Sequence, residues 1–175
     1  SWQGYGYDAL IQAYVSQRDG YRDDNSSRRL RAGGNLGLRL SDNISARVFA
    51  NYTKLSFDVS GPLTADLLKS APRSVFAGPT VTPSGSVNPG PNVVRDQPQR
   101  DADQIQIGSR ITGTFGAHLA DLAFGYTWTE DSFGFPISSG IRETNGGDIT
   151  GVLRYAYKPD GASVLNLFEA TAQYV

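Results

Sequence analysis

Residues 28–52 read RRLRAGGNLGLRLSDNISARVFANY, and this stretch decides the fold. Over residues 29–40, even positions carry uncharged residues such as Leu36, and odd positions carry arginine, asparagine or glycine. Period two is typical of a β-strand, because successive side chains point to opposite faces of a sheet. The alternation resumes after the Ser-Asp-Asn turn at 41–43, with Phe49 as an exception. The stretch therefore predicts a tight β-hairpin with one apolar and one polar face.

The length and chemistry of this hairpin favour a membrane sheet over a soluble one. Each arm is longer than the usual strand of about five or six residues, and about nine to eleven tilted residues suffice to cross a bilayer. Arg29, Arg31 and Arg39 share the polar face. In a packed core each arginine needs a partner, whereas in a water-lined lumen it does not. The pattern predicts lipid on one side and water on the other.

Composition excludes several classes of protein. The hydrophobic fraction of 39% is low for a compact core of 175 residues, and a net charge of -1 gives no reason to expect a nucleic-acid partner. The absence of cysteine excludes a disulfide scaffold and a thiolate metal site. No run of about 18 apolar residues is present, so no transmembrane helix is predicted. The chain opens on strand-like sequence, and no signal peptide is predicted.

The same alternation recurs along the chain and predicts an all-β fold. We expect an antiparallel up-and-down meander of about seven amphipathic strands. An up-and-down barrel needs an even number of strands, so the predicted seven form part of a larger transmembrane β-barrel. Residues 1–175 are thus expected to be a single barrel segment. The strands are predicted near residues 4–17, 28–40, 44–58, 102–115, 119–130, 149–157 and 165–175.

The connections between these strands are predicted to alternate in length. Outer-membrane barrels have short periplasmic turns and longer extracellular loops. In the longest connection, Thr64 is expected to cap one helical turn in LTADLLKS. Long extracellular loops are predicted near 18–27, 59–101 and 131–148, and short periplasmic turns near 41–43, 116–118 and 158–163.

Two motifs add a family resemblance. Residues 19–52, DGYRDDNSSRRLRAGGNLGLRLSDNISARVFANY, and residues 61–73, GPLTADLLKSAPR, resemble the early barrel strands of TonB-dependent outer-membrane receptors. In that family a D-G-Y-R-D-N loop, a hairpin with a Ser-Asp turn and a P-G-x-L-T...L...D-P-R loop recur in this order. Here Gly61 and Pro62 are inverted and Ala71 replaces the expected aspartate. The matching positions are Asp19, Gly20, Tyr21, Arg22, Asp23, Asn25, Ser41, Asp42, Leu63, Thr64, Leu67, Pro72 and Arg73.

The resemblance implies a ligand-gated importer in the outer membrane of a Gram-negative cell. Such a receptor takes up a scarce small-molecule nutrient, here expected to be a ferric siderophore or similar chelate. Its implied partners are outer-membrane lipid, a plug domain, the remaining barrel strands and the TonB complex. A plugged transporter of this kind has about 22 strands. Neither a plug domain nor a TonB box is identified in this sequence.

One group of residues is a candidate for ligand contact, and a second group is predicted to face the lumen. Arginine pairs with anionic chelates and aromatic rings offer stacking area, although such loop residues can equally shape the barrel rim. Arginines on the polar strand face can pair with plug carboxylates, provide a positive path for anions, or form a solvated wall. The candidate ligand-binding residues are Tyr21, Arg22, Phe133, Phe135 and Arg142, and the predicted lumen-facing residues are Arg29, Arg31, Arg39, Arg47 and Arg110.

Catalysis is not predicted. The one histidine, His118, falls in a short turn, and no positioned base is identified. Asp23, Asp24 and Asn25 carry oxygens suited to calcium, but a solvated charge run accounts for them better, so neither a metal nor a cofactor is expected. The alternative function is a soluble all-β carbohydrate-binding module that uses the loop aromatics.

Overall fold

The computed structural model describes residues 2–4, 6–78, 80–81, 83–85, 87–88, 92–134, 140–159 and 166–175. Strands dominate these ranges, and the two helices are short. The elements are β1 (Trp2–Gly4), β2 (Tyr7–Asp19), β3 (Ser26–Arg39), β4 (Ile44–Asp58), α1 (Ala65–Ser70), β5 (Thr80–Val81), β6 (Val87–Asn88), α2 (Val93–Asp96), β7 (Gln99–Phe115), β8 (His118–Gly134), β9 (Ile141–Tyr157) and β10 (Asn166–Tyr174).

The predicted antiparallel meander is confirmed. Seven long strands, β2, β3, β4, β7, β8, β9 and β10, follow one another across one sheet in chain order, and each pairs antiparallel with its neighbour. The short strand β1 adds to the β2 edge, and β5 pairs only with β6. The sheet is open, with β1 and β10 as its edges.

The predicted hairpin is present as β3 and β4. Leu38 is opposite Ala46 in the register, and the strands pair from Ser27 with Phe57 down to Arg39 with Ser45. At the turn, the Leu40 amide donates to the Ile44 carbonyl at 2.9 Å. Turn and register together place Leu38 and Ala46 on the same face of the sheet.

The register extends that face across the whole sheet. The row of register partners that contains Leu38 and Ala46 continues through Ile111, Leu122 and Leu153. We call this side of the sheet the apolar face and the other side the polar face. The apolar face carries Ile11, Leu36, Leu38, Val48, Ile105, Ile107, Ile111, Leu122, Phe124, Ile149 and Leu153, and the polar face carries Asp8, Gln12, Arg29, Arg31, Arg39, Arg47, Asn51, Gln104, Gln106, Arg110, Asp121 and Arg154.

The apolar face is uncovered within the described residues. On this face Ile11 is 85% exposed and Leu122 is 55% exposed. Among the described residues, the one buried hydrophobic side chain is Val93, which lies in the connection between β4 and β7 and not on the sheet. A soluble domain buries an apolar sheet face against a second layer of structure. Here the described chain contributes one layer, so its stability depends on what the apolar face contacts.

Aromatic residues bound the apolar face at both ends. Near the 116–117 turn lie Phe115, Tyr155, Tyr157 and Phe168, and towards the opposite end lie Tyr52, Tyr126, Trp128 and Tyr174. The eleven residues of β8 from His118 to Trp128 are separated by ten intervals and span about 34 Å at about 3.4 Å per residue. With a strand tilt of about 35–45° this length corresponds to a band about 25 Å tall.

Phe49, the exception to the predicted alternation, lies on the polar face opposite Gly108 of β7. A side chain added at Gly108 would collide with the Phe49 ring, so the ring occupies the space that this glycine leaves open. Glycine thus leaves room for an aromatic ring on the polar face.

The connections differ in length from the prediction. The strand β8 continues to Gly134 and β9 begins at Ile141, so the connection predicted near 131–148 is limited to 135–140. The first connection likewise shortens to 20–25. The backbone ladder continues through polar residues that lack alternation, because pairing needs only N–H and C=O groups. The connection at 59–98 stays long, and the one predicted near 158–163 lies mostly outside the described residues.

The start of the chain also differs from the prediction of one strand over 4–17. β1 folds back antiparallel on β2, with Gln3 opposite Asp8. Gly6 has a φ of 86°, in the left-handed region that favours glycine. The break therefore occurs inside a continuous alternating pattern, at a glycine whose backbone can adopt the left-handed conformation.

The long connection 59–98 is partly folded. Thr64 caps α1 as predicted, since its hydroxyl accepts from the Leu67 amide at 3.2 Å. The Val93 amide of α2 donates to the Phe76 carbonyl at 2.9 Å, and the Val59 amide donates to the Pro98 carbonyl at 2.8 Å. Within the described ranges, no helix combines the length and the apolar character needed to cross a membrane.

Candidate ligand-binding face

The five arginines predicted to share one face do so in the structure. Arg47 of β4 is directly opposite Arg110 of β7, and Arg29, Arg31 and Arg39 lie on the same side through the pairing of β3 with β4. Period-two alternation sets this common side, and the register divides the five between its two ends, with Arg39, Arg47 and Arg110 near the 41–43 turn and Arg29 and Arg31 at the opposite end. The polar face is therefore strongly charged on several neighbouring strands.

Near the 41–43 and 116–117 turns, the arginines of this face are ion-paired. Arg47 donates to Asp8 at 2.7 Å and also contacts the side-chain oxygen of Asn35. Arg110 donates to Asp121 at 2.7 Å through Nε, and the Thr112 hydroxyl donates to the same carboxylate at 2.8 Å. Each guanidinium thus has its own carboxylate, which allows Arg47 and Arg110 to be neighbours despite their like charge.

The other end of the polar face has a different charge pattern. Arg18, Arg29 and Arg31 lie there on β2 and β3, and all three are exposed. Among the described residues, none of them forms a hydrogen bond or ion pair through its guanidinium. We call these three residues the arginine cluster. Two of its members line a concavity of about 700 Å³ together with Gln12, Tyr14, Asn51, Thr53, Gln104 and Gln106.

Arg22, a predicted ligand residue, is engaged by backbone carbonyls. Its guanidinium donates to Ser60 O at 2.9 Å, to Gly61 O at 2.5 Å, and to Ser74 O at 3.0 and 3.2 Å. These carbonyls belong to two separate points of the 59–98 connection. Arg22 therefore ties the 20–25 connection to the long connection, and its planar fork suits several acceptors at once.

A second contact joins the same two connections. The Arg73 guanidinium lies 5.6 Å from the centre of the Tyr21 ring, a cation–π arrangement. The Asp23 amide also donates to the Arg73 carbonyl at 2.8 Å. The two segments that carry the family resemblance thus contact each other, while the Tyr21 side chain stays 66% exposed.

The predicted ligand residues are not all brought together. Phe133 of β8 and Arg142 of β9 are register partners, whereas Tyr21 and Arg22 lie between β2 and β3. The strands β4 and β7 separate the two pairs in the sheet. Phe135 lies outside the described residues. The structure thus places the described candidates at two locations at the same end of the sheet.

Sequence reasoning missed Arg18 and the carboxylates Asp8 and Asp121. Parity alone places Arg18 on the polar side of its strand, so that signal was available. The pairing of Arg47 with Asp8, by contrast, crosses 39 residues and depends on the register of β2, β3 and β4. Local pattern cannot supply a contact of that kind.

The histidine lies near the 116–117 turn and contacts two tyrosines. His118 Nδ1 lies 2.6 Å from the Tyr155 hydroxyl, and its ring packs 4.7 Å from that of Tyr157, both at the aromatic end of the apolar face. In the part of the chain that the structure describes, no three histidine, cysteine or carboxylate side chains converge as metal ligands.

Comparison with protein-family models gave no match, and comparison with curated proteins gave none either. Function is therefore inferred from the geometry described above together with the sequence resemblance.

Proposed function

We propose that this chain forms part of the wall of a TonB-dependent outer-membrane receptor that imports a scarce nutrient, a ferric siderophore or similar chelate. One observation carries the proposal: the sheet has an uncovered apolar face bounded by aromatic residues, opposite a charged face. Exposure of such a face to water is unfavourable. A bilayer would cover it, with the polar face lining a water-filled lumen.

The open edges support a barrel larger than these strands. The strands β1 and β10 each have an edge that no other described strand pairs with. Unpaired backbone groups are not tolerated against lipid, so further strands are required on both sides. The proposed partners are those strands, outer-membrane lipid, a plug domain that fills the lumen, and the TonB complex that supplies energy.

The folded 59–98 connection supports the orientation of the proposed barrel. It leaves the sheet at the end opposite the 41–43 and 116–117 turns. In outer-membrane barrels the longer loops are extracellular. The contacts of Arg22 with Ser60, Gly61 and Ser74 would hold this connection at the outer rim, where it could meet the nutrient.

The proposal is transport without catalysis. A soluble carbohydrate-binding module is the alternative, but it requires a second layer over the apolar face, and the described residues supply none. We therefore favour the membrane barrel.

Two measurements test the proposal. The protein is expected in the outer-membrane fraction, with an electrophoretic mobility that changes on heating, as a folded barrel resists detergent. A strain lacking it is expected to lose growth on at least one member of a panel of iron chelates. Recovery as a soluble protein with a cooperative melt would contradict the proposal.

A further inference from the structure

We infer that the arginine cluster, Arg18, Arg29 and Arg31, binds the carboxylates of a multivalent anionic ligand. The inference deepens the proposed function by giving the charge class of the nutrient, and it rests on that function for the assignment of this face to a lumen.

Local charge favours an anionic ligand at the arginine cluster. In this half of the polar face, the positions on β2, β3, β4 and β7 carry no aspartate or glutamate. The nearby Arg100 donates to Asp131 of β8 at 2.8 Å, so its charge is already compensated. At the turn end, Arg47 and Arg110 have carboxylate partners too. Positive charge therefore remains uncompensated at the arginine cluster, which attracts anions.

The spacing of the three arginines suits a ligand with more than one anionic group. Arg29 and Arg31 are two residues apart on one strand, which separates their α-carbons by about 7 Å. Ser16 is the register partner of Arg29, so Arg18 is its diagonal neighbour, at about 7–8 Å. Each guanidinium can donate two parallel hydrogen bonds to one carboxylate, so three arginines at these α-carbon separations offer sites for several carboxylates of one ligand.

The surface beside the arginine cluster has room for a small molecule. The concavity beside the cluster holds about 700 Å³, within the usual range of about 300–1,000 Å³ for small-molecule sites. Its neutral wall includes the side-chain amides of Gln12, Asn51 and Gln106. Such groups can bind the remaining oxygens of a ligand without repelling its charge.

Calorimetric titration of the detergent-purified protein tests the inference. The probe is benzene-1,3,5-tricarboxylate, and the comparison ligands are benzoate and inorganic phosphate. We expect the tricarboxylate to bind at least tenfold more tightly than either, with an affinity that falls as salt rises. The double variant Arg29→Gln, Arg31→Gln is expected to lose at least tenfold in affinity.

The matched control is Arg28→Gln. Arg28 neighbours Arg29 on β3 and is also exposed, but it lies on the opposite face of the sheet. Its variant is expected to bind like the unchanged protein. Equal losses in the control and the double variant would overturn the inference, as would phosphate or benzoate binding as tightly as the tricarboxylate.

The heat-dependent gel shift separates the two proposals. If the protein shows the shift and does not bind the tricarboxylate, the arginine cluster is not a carboxylate site and the proposed function stands. If the protein is soluble and lacks the shift, the proposed function fails. Tricarboxylate binding that depends on Arg29 and Arg31 would then still support the site.

Discussion

Arg110, Arg22 and Arg31 show three environments for the same side chain. Arg110 pairs with Asp121, Arg22 donates to backbone carbonyls of a distant connection, and Arg31 has no partner among the described residues. The first two have structural roles, since removing them would leave polar groups without a partner. The third is available to a ligand, and the difference depends on strand register rather than on residue type.

Replacing Arg22 with lysine is expected to loosen the long connection. Lysine keeps the charge but lacks the planar fork that reaches Ser60, Gly61 and Ser74 together. Loss of one or more hydrogen bonds to a charged group should cost about 1.5–3 kcal/mol. Hydrogen exchange at the Asp23 amide, which donates to Arg73 O, reports the local opening.

The control for this variant is Arg28→Lys, at an exposed position for which the structure gives no guanidinium partner among the described residues. Its exchange at Asp23 should be unchanged. Equal protection in the Arg22→Lys protein would mean that its contacts do not hold the two connections together.

The two faces make opposite predictions for neighbouring residues of β3. Leu38→Arg places a charge on the apolar face and should cost about 2–4 kcal/mol if the site lies at the bilayer midplane. Arg39→Leu removes only an exposed pair with Asp42 at 3.2 Å, an interaction worth about 0–1 kcal/mol. Urea titration of folding into lipid vesicles measures both. The reverse ranking would mean that the faces are inverted.

At the scale of the elements, strand pairing explains both the successes and the failures of prediction. The alternation around Leu36 and Leu38 predicts the strands and their two faces, because apolar residues occupy one face of a strand and polar residues the other. The predicted end of β8 near residue 130 and the predicted start of β9 near residue 149 are wrong. The strands pair as far as Gly134 and Ile141 through backbone groups, which leave no pattern in the sequence. The contacts of Arg22 cross up to 52 residues, and no local pattern encodes them.

The polar-face glycines Gly108 and Gly125 are register partners with different surroundings. A side chain at Gly108 would collide with the Phe49 ring, whereas nothing lies within 4 Å of the corresponding position at Gly125. Gly108→Ala is therefore expected to destabilise the sheet by about 1–3 kcal/mol, as overpacking does. Gly125→Ala should be nearly neutral. The same vesicle-folding titration compares them, and equal effects would show that the ring does not depend on the glycine.

At the scale of the whole molecule, the sheet is one layer whose two sides require different surroundings. Ile107 and Leu122 represent the side that needs an apolar cover, and Asp121 and Arg47 the side that needs water or polar partners. Further strands at the open edges would allow such a sheet to close into a barrel with lipid outside. The all-β fold follows from sequence alternation, whereas the contacts of the polar face depend on the register, which brings distant residues together.

The most direct test is the environment of single residues along β7 in lipid bilayers. The chain has no cysteine, so a spin label can be attached to one introduced cysteine at a time, from Gln104→Cys through Ile111→Cys. The expected result is a period-two pattern, with Ile105, Ile107 and Ile111 accessible to oxygen dissolved in lipid, and Gln104, Gln106 and Arg110 accessible to a water-soluble nickel chelate. A pattern without this alternation, or labels at the isoleucines that the nickel chelate reaches freely, would contradict a lipid-facing apolar face.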